Sequence, residues 1–388
     1  MKFKSVRKSV LNSLVLITLF ILPYLVTSDI SLRNVYLVYY MLIGCYIFLG
    51  LFMNKYLFNK EYRNVLFFTL MFVFFGVINQ IINGYFSYFN LLAPLIAYLG
   101  YVFTHKNKLE FKVFNILIVS NYIYFIIVYY SKLSSFFLRI DDETDGLYFL
   151  NTSSNLIPCV LIINLFAYDI ISKIKYENKN DKIITIYAAI NVLLILIQQS
   201  RAGIIISIIY LLIKLFSTYR KFFWVTAISF MIFIIINLSF IIAYSDIIGG
   251  ISKESDYLND ARGLQAKEFF TRLDVSSFFW GYGKTTFTAS KFSSVQNQFL
   301  SIWNYYTFFT VFIFIVIIIL RFILKDKYKI PFIYFIPFII YGMFEGFYFP
   351  NFWDFSIYLM LFIKKEPQIG LPVYANSNSA IVAPNTQQ

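Results

Sequence analysis

Long apolar runs separated by short basic segments set the pattern of the chain. Crossing a ~30 Å hydrocarbon layer takes about 20 helical residues. About twelve runs approach that length: 10–27, 35–53, 65–83, 88–103, 111–130, 155–172, 183–197, 202–217, 222–244, 302–324, 330–348 and 353–363. The run at 88–103 contains Pro94, those at 183–197 and 202–217 are short, and the last is shorter still. The first follows Lys2, Lys4, Arg7 and Lys8, but Thr27-Ser28-Asp29 comes after it in place of a small-x-small cleavage site. It therefore reads as a retained span and not a removed leader. The expected fold is all-α: a polytopic integral membrane protein with about twelve transmembrane helices and a long outer loop. Residues 1–365 form the transmembrane domain. The tail 366–388, rich in Asn, Pro, Ser and Ala, reads as a disordered cytoplasmic end.

Composition agrees. Of 388 residues, 59% are hydrophobic and 14% charged, with a mean hydropathy of +0.69. Soluble domains run closer to ~45–50% apolar and ~25% charged. That difference excludes a soluble enzyme, a nucleic-acid-binding domain and a disordered chain. The net charge of +13 suggests an acidic partner until its distribution is followed. With the N-terminus in the cytoplasm and strict alternation, the inner segments hold Lys55, Lys60 and Arg63; Lys106, Lys108 and Lys112; Lys173, Lys175, Lys179 and Lys182; Lys214, Arg220 and Lys221; Arg321, Lys325, Lys327 and Lys329; and Lys364 and Lys365. The acids favour the outer side. The positive balance is thus a topology signal. It predicts both termini in the cytoplasm and two long outer loops, about 131–154 and 245–300.

The chemistry available is narrow. His105 is the single histidine, and it falls on the inner side; Cys45 and Cys159 sit inside apolar runs. A His-based metal site and a Ser-His-Asp triad are excluded. No Gly-rich phosphate loop is present, which argues against an ATP-driven pump.

Two arginines stand out. Arg201 lies in the tight outer turn Gln198-Gln199-Ser200-Arg201-Ala202-Gly203, with Ile197, Gln198, Ile204 and Ile205 at helical offsets and no acid among them. An unpartnered arginine there is costly. Its readings are snorkelling to lipid phosphate, a tertiary partner such as Glu345, or binding of an anion, for which guanidinium is suited. In the large outer loop, Leu258, Ala261, Leu264, Phe269 and Leu273 recur at helical spacing, so an amphipathic helix on the membrane surface is expected. Arg262 on it has no local acid. Arg272 follows Glu268 by four residues, the spacing of a surface ion pair. Then come Gly281-Tyr282-Gly283, by itself a tight turn with an aromatic anchor at the lipid interface, and Gln296-Asn297 ahead of the next span.

In this order and topology the elements resemble the O-antigen polymerase and ligase superfamily of bacterial envelope polysaccharide assembly. The resemblance covers roughly 150–325. Ser200-Arg201-Ala202-Gly203 matches the family's Ser-Arg-Gly/Ala between two spans. Arg262 matches its loop arginine and Gly281-Tyr282-Gly283 its Gly-x-Gly, with Arg272 and Gly283 fitting a looser spacing. Gln296-Asn297 stands where His-Asn is usual, and Asn151-Thr152-Ser153-Ser154-Asn155 is similar to an Asn-containing stretch that opens an earlier span. The ligases of the family carry a periplasmic histidine that this chain lacks, which favours a polymerase.

The resemblance implies a glycosyltransferase that joins undecaprenyl-pyrophosphate-linked oligosaccharide repeat units into O-antigen or capsular polysaccharide at the periplasmic face of the inner membrane. Arg201 and Arg262 would be catalytic, stabilising charge on the departing diphosphate. Arg272, Gly281, Gly283, Gln296 and Asn297 would bind substrate. No metal or cofactor is implied. Membrane lipids, a flippase and a chain-length regulator are the implied partners, and nucleic acid is not. A base for the acceptor hydroxyl stays open among Asp256, Asp260, Asp274, Glu345 and Asp354. The alternatives are an O-antigen ligase and a polysaccharide flippase. A flippase should show two related halves, and none is visible.

Overall fold

A computed structural model describes residues 8–15, 33–57, 59–138, 156–176, 181–197, 201–219, 224, 261–283, 297–344 and 355–364. The protein is all-helical. Among the described residues the one extended pairing is an isolated antiparallel bridge between Tyr328 and Lys364. The expected spans 10–27 and 222–244, much of both expected outer loops, and the tail 366–388 lie largely or wholly outside the described residues.

After a helical segment over 8–15 come α1 (Arg33–Met53), α2 (Arg63–Ile82), α3 (Tyr88–Lys106), α4 (Phe111–Leu138), α5 (Leu156–Tyr176), α6 (Asp181–Ile197) and α7 (Arg201–Thr218). The second half holds α8 (Ala261–Thr271), α9 (Val275–Trp280), α10 (Gln298–Tyr306), α11 (Phe308–Ile323), α12 (Phe335–Phe344) and α13 (Phe355–Phe362). One helix among the described residues, Lys60–Ile82, is long and apolar enough to cross a membrane by length and composition. Gly44–Met53, Phe111–Ile123, Gly203–Thr218, Phe308–Ile323 and Phe332–Met343 are shorter apolar helices.

Three boundaries differ from expectation. The helix expected to end at 130 runs to Leu138, because neither Gly nor Pro interrupts 111–138. The run 302–324 is not one helix. It breaks at Thr307, whose φ of 94° places a β-branched residue where L side chains are strained. The run 330–348 opens on a 3₁₀ turn, Phe332–Tyr334, set by Pro331 at φ −60°, before α12 begins.

Both faces of α2 are apolar. Val65, Phe68 and Phe72 are buried, with Phe68 against the rings of Phe72, Phe314 and Tyr358. On the opposite face Phe67, Leu70, Phe74, Val77 and Ile81 recur at helical spacing and are exposed. On α11, Phe312, Ile315, Ile319, Phe322 and Ile323 form a similar exposed stripe. The most extensive helix pair is α6 with α7, followed by α2 with α3; α13 is buried from Phe355 to Leu361 and packs on α3.

Two groups of polar contacts lie at the two ends of α2, which separates them by about 30 Å. At one end every contact joins segments that the charge pattern assigns to the inner side. Lys106 pairs with Glu61 (3.1 Å), Lys175 Nζ donates to His105 O (2.8 Å), Lys329 Nζ donates to Ile174 O (2.8 Å), and Ser9 donates to Glu110 (2.9 Å). At the other end the 84–87 turn, the 280–283 turn and α10 meet.

A charge network lies toward the first end. Asp169 of α5 accepts from Tyr210 (2.7 Å) and Lys214 (3.1 Å) of α7. Lys214 also donates to Asp181 (2.6 Å) at the start of α6, and Lys173 approaches Asp181 at 3.5 Å. Asp169 and Lys214 are both 0% exposed. Two acids and two ammonium groups cancel, which makes their burial tolerable. Arg321 of α11 is buried differently. Its Nε donates to Met360 O (3.0 Å), in the last turn of α13, a second nitrogen donates to Ile330 O, and the guanidinium lies 4.0 Å from the centre of the Tyr328 ring. The negative end of a helix dipole and an aromatic face stabilise the cation.

Removing one member of the charge network strands a buried partner. Asp169→Asn or Lys214→Met is expected to cost about 3–5 kcal/mol. The double variant leaves the neutral Lys173–Asp181 pair and is expected to recover most of that loss. Thermal unfolding in detergent reads the difference, and a double variant as unstable as the summed singles would refute this account.

Candidate functional site

Of the sequence-derived candidates, Arg272, Gly281, Gly283 and Asn297 are described at the end opposite the basic one, where a break in a helix organises the local backbone. In an unbroken helix, each carbonyl accepts from the N–H four residues on. The positive φ at Thr307 ends α10, so its last carbonyls need other donors. Trp303 O keeps its ordinary donor four residues on, Thr307 N (3.0 Å), but Tyr306 O accepts from the Thr310 hydroxyl (2.7 Å). Asn304 O accepts from Gly283 N (3.2 Å) and from Asn79 Nδ2 (3.0 Å).

The side chain of Asn304 completes the contact. Its Oδ1 accepts from Tyr282 N (3.0 Å) and its Nδ2 donates to Gly283 O (2.8 Å), so one amide pairs with two consecutive backbone positions. Asn79 Nδ2 also donates to Trp280 O, and Asn79 Oδ1 accepts from the Tyr85 hydroxyl (2.8 Å). Asn79 and Asn304 are both fully buried. Tyr282 donates to Phe269 O (2.9 Å), and Trp303 Nε1 to Phe278 O (2.7 Å). Helices α8 and α9 are thereby fixed onto α2, α10 and the α2–α3 turn.

Gly281 and Gly283 make this approach possible. Gly281 has φ 72°, and a Cβ there would sit 2.6 Å from the carbonyl oxygens of both Trp303 and Asn304. Gly283 has φ 65°, and its Cβ would meet the Tyr85 ring at 2.6 Å and Asn83 Cβ at 2.8 Å. What these glycines touch is the protein's own backbone and rings.

Helix α8 covers Ala261–Thr271, inside the amphipathic stretch expected at 258–273. Arg272, just beyond it, pairs with Glu268, the ion pair that the spacing suggests. Arg201 opens α7 and Arg262 lies in the first turn of α8; their side chains fall outside the described part of the structure, as does the whole of Gln296. Asn297 caps α10. Its Oδ1 accepts from Phe299 N (3.0 Å) and Leu300 N (3.1 Å), and its Nδ2 donates to Met343 O (2.9 Å) in α12. Asp256, Asp260, Glu345 and Asp354 also lie outside the described residues.

Asp274 has a defined role. It caps α9: its Oδ1 accepts from the Ser277 hydroxyl (2.7 Å) and Ser277 N (2.6 Å), while Asp274 N donates back to the same hydroxyl (2.9 Å). This is a capping box. The Ser277 hydroxyl, and then its N–H, hold the carboxyl below the usual carboxylate value. A general base working near neutral pH needs the opposite shift. Among the described residues, no group of three or more His, Cys, Asp or Glu side chains is placed to hold a metal.

The asparagines escaped the sequence reading, as did the Asp169 network. A signal existed in each case. Asn79-Gln80 interrupts an apolar run, and Asp169 with Lys173 four residues later lies within another. Ionisable and polar residues inside such runs are seldom idle.

Two expectations follow. Gly281→Ala forces a Cβ against carbonyls that cannot retreat, and a positive φ adds about 1–2 kcal/mol; helices α8 and α9 should detach, read as faster tryptic cleavage at Lys267 and Arg272. Gly50→Ala, in open space within α1, should not do this. The second concerns pH. A carboxyl whose folded value lies below its unfolded value, about 3.9, stabilises the fold above that value and loses the contribution as the pH falls through the folded one. Amide-exchange protection over 275–280 should hold at pH 5, fall below about pH 4, and become insensitive to that step in Asp274→Asn. Protection unchanged down to pH 2 would count against the cap.

Compared with family models, with curated proteins and with solved structures, the chain gives no match.

Proposed function

We propose that this protein is a bacterial inner-membrane polymerase. It lengthens a polysaccharide by transferring a glycan from an undecaprenyl pyrophosphate carrier onto a sugar hydroxyl of a carrier-linked repeat unit, with undecaprenyl pyrophosphate leaving. The observation that carries this reading is the attachment of the Gly281-Tyr282-Gly283 turn to Asn79 and Asn304. It ties the loop bearing Arg262 and Arg272 to the bundle, at the end opposite the basic segments.

The membrane setting is supported by the exposed apolar faces of α2 and α11, which would be penalised in water. About twelve spans, with both termini in the cytoplasm, accord with the convergence of the basic segments on one end. In this setting the carrier's chain stays in the bilayer while its diphosphate and sugars reach the outer end. Arg201 and Arg262 stabilise charge as it develops on the departing diphosphate. The acceptor hydroxyl attacks the anomeric carbon, the bond to the diphosphate breaks, and the hydroxyl proton passes to a base. A flippase and a chain-length regulator are the proposed partners.

The test is substitution in a strain that depends on this gene for its surface glycan. Arg201→Ala and Arg262→Ala should abolish long chains at normal protein level, by two or more orders of magnitude. A charge-assisted contact is worth roughly 1.5–3 kcal/mol in ordinary settings and more in a water-poor site. Lysine should rescue only partly, since a point charge replaces a fork. Arg272→Ala, which removes a surface ion pair, should be milder. Near-normal chain length in both alanine variants would sink the reading. Long chains left on the carrier in the deletion strain would indicate a ligase. Polymer formation in membranes should survive EDTA, because the proposed outer segments contain no His or Cys.

A further inference from the structure

We infer that Asn79 and Asn304 are positioning residues for the polymerase site, and that the helix break at Thr307 is the socket into which they seat the outer loop. The inference rests on the proposed function for the reaction concerned, and on geometry alone for the seating.

The geometry starts from the backbone. Were 298–323 a single helix, Asn304 O would accept from Phe308 N. The break at Thr307 frees that carbonyl, and it points at Gly283 N instead. A freed carbonyl in a buried setting must be satisfied, and here it takes donors from two other segments, 283 and Asn79. The break therefore carries a cost in Thr307 that the loop contact offsets. The side chains then specify the register. Asn304 presents an acceptor to Tyr282 N and a donor to Gly283 O at once, so both halves of its amide hold the same stretch of loop backbone. Asn79 spans the seam, donating to Trp280 O on the loop side and to Asn304 O on the bundle side. Neutral amides meet these demands without burying charge.

The consequence is mechanical. The chain runs directly from the clamped 280–283 turn back through α9 and the capped Asp274 to Arg272 and α8. Tyr282 ties the C-terminal part of α8 to the turn through Phe269 O. Arg262 lies two turns earlier on the same helix. Loss of either asparagine leaves the arginines in place chemically but free to drift. Misplacement of a catalytic group by about 1 Å can cost about a hundredfold in rate.

The experiment uses full-length protein carrying Asn304→Ala, Asn304→Asp, Asn79→Ala or Asn79→Asp. In detergent, tryptic cleavage at Lys267 and Arg272 is compared with cleavage at Lys325 and Lys327, on the far end of the bundle. In membranes supplied with lipid-linked repeat units, initial rates are measured against donor concentration. Both alanine variants should raise cleavage at the loop sites by about tenfold or more, leave the far sites unchanged, and lower kcat with little change in KM. Asn304→Asp keeps the acceptor for Tyr282 N but sets a buried carboxylate oxygen against Gly283 O, so it should do no better than alanine. Asn79→Asp, which loses both donated bonds and faces two carbonyls, should be at least as severe as alanine. Uniformly faster cleavage at both ends, or lost protein, would mean a general packing role and overturn the assignment. Faster loop cleavage with normal kcat would overturn the positioning role and leave the polymerase reading intact. Unchanged loop cleavage would overturn the seating itself. Failure of the polymerase reading shows separately, as wild-type membranes that form no polymer; the loop cleavage then decides the seating alone.

Discussion

A backbone carbonyl released from its helix has to find a donor, and much of the arrangement at one end of this protein follows from that requirement. Asn304 O is released by the break at Thr307. It is met by Gly283 N and Asn79 Nδ2, and in meeting it those groups fix a loop onto a bundle. The glycines of the 281–283 turn then follow from sterics. Two residues with positive φ must pass within contact distance of carbonyls and rings, and a side chain at either would close the gap. A Gly-x-Gly that looks like an ordinary turn signal in the sequence is thus a fitting part, cut to the surface it meets.

The two ends of the bundle solve the burial of polar groups by different chemistry. Toward the basic end, Asp169, Lys173, Asp181 and Lys214 neutralise one another across α5, α6 and α7, and Arg321 uses carbonyls and an aromatic face in place of an acid. At the opposite end neutral amides do the joining. Ion networks tolerate no missing member, since the remaining charge has nowhere to go. Amide networks lose a hydrogen bond at a time and so weaken by steps. Under the proposed function this difference suits the roles: a rigid helical frame on one side, and on the other a loop whose seating is strong but gradual.

The exposed apolar faces of α2 and α11 continue toward the loop. Phe279 stacks on Phe309, and Phe278 lies against Phe308, so α9 joins the aromatic surface of α11. A site built there has apolar surface on one side and the polar clamp on the other. That is the environment a lipid-linked sugar would occupy under the proposed reaction, with its chain against rings and its diphosphate near the arginines. Asp274 is spent on capping α9 and holds its proton poorly, so the base for that reaction is to be sought among the other carboxylates.

The sequence by itself determined the all-helical fold, because apolar periodicity and the absence of strand patterns act locally. It also determined the segregation of basic segments, visible as charge and found as contacts at one end, and the Glu268–Arg272 pair, set by a spacing of four residues on one helix. What only the tertiary structure decided involves partners far apart in the chain. Thr307 has no Pro or Gly to announce a break; the break is maintained because donors from 79 and 283 reach Asn304. Asn79 and Asp169 read as polar interruptions of apolar runs, and Lys214 as one of the inner basic residues, until folding brings their counterparts alongside. A helix's own residues fix its period and its caps, but they do not specify which distant group will satisfy a carbonyl or an ammonium that the helix leaves over.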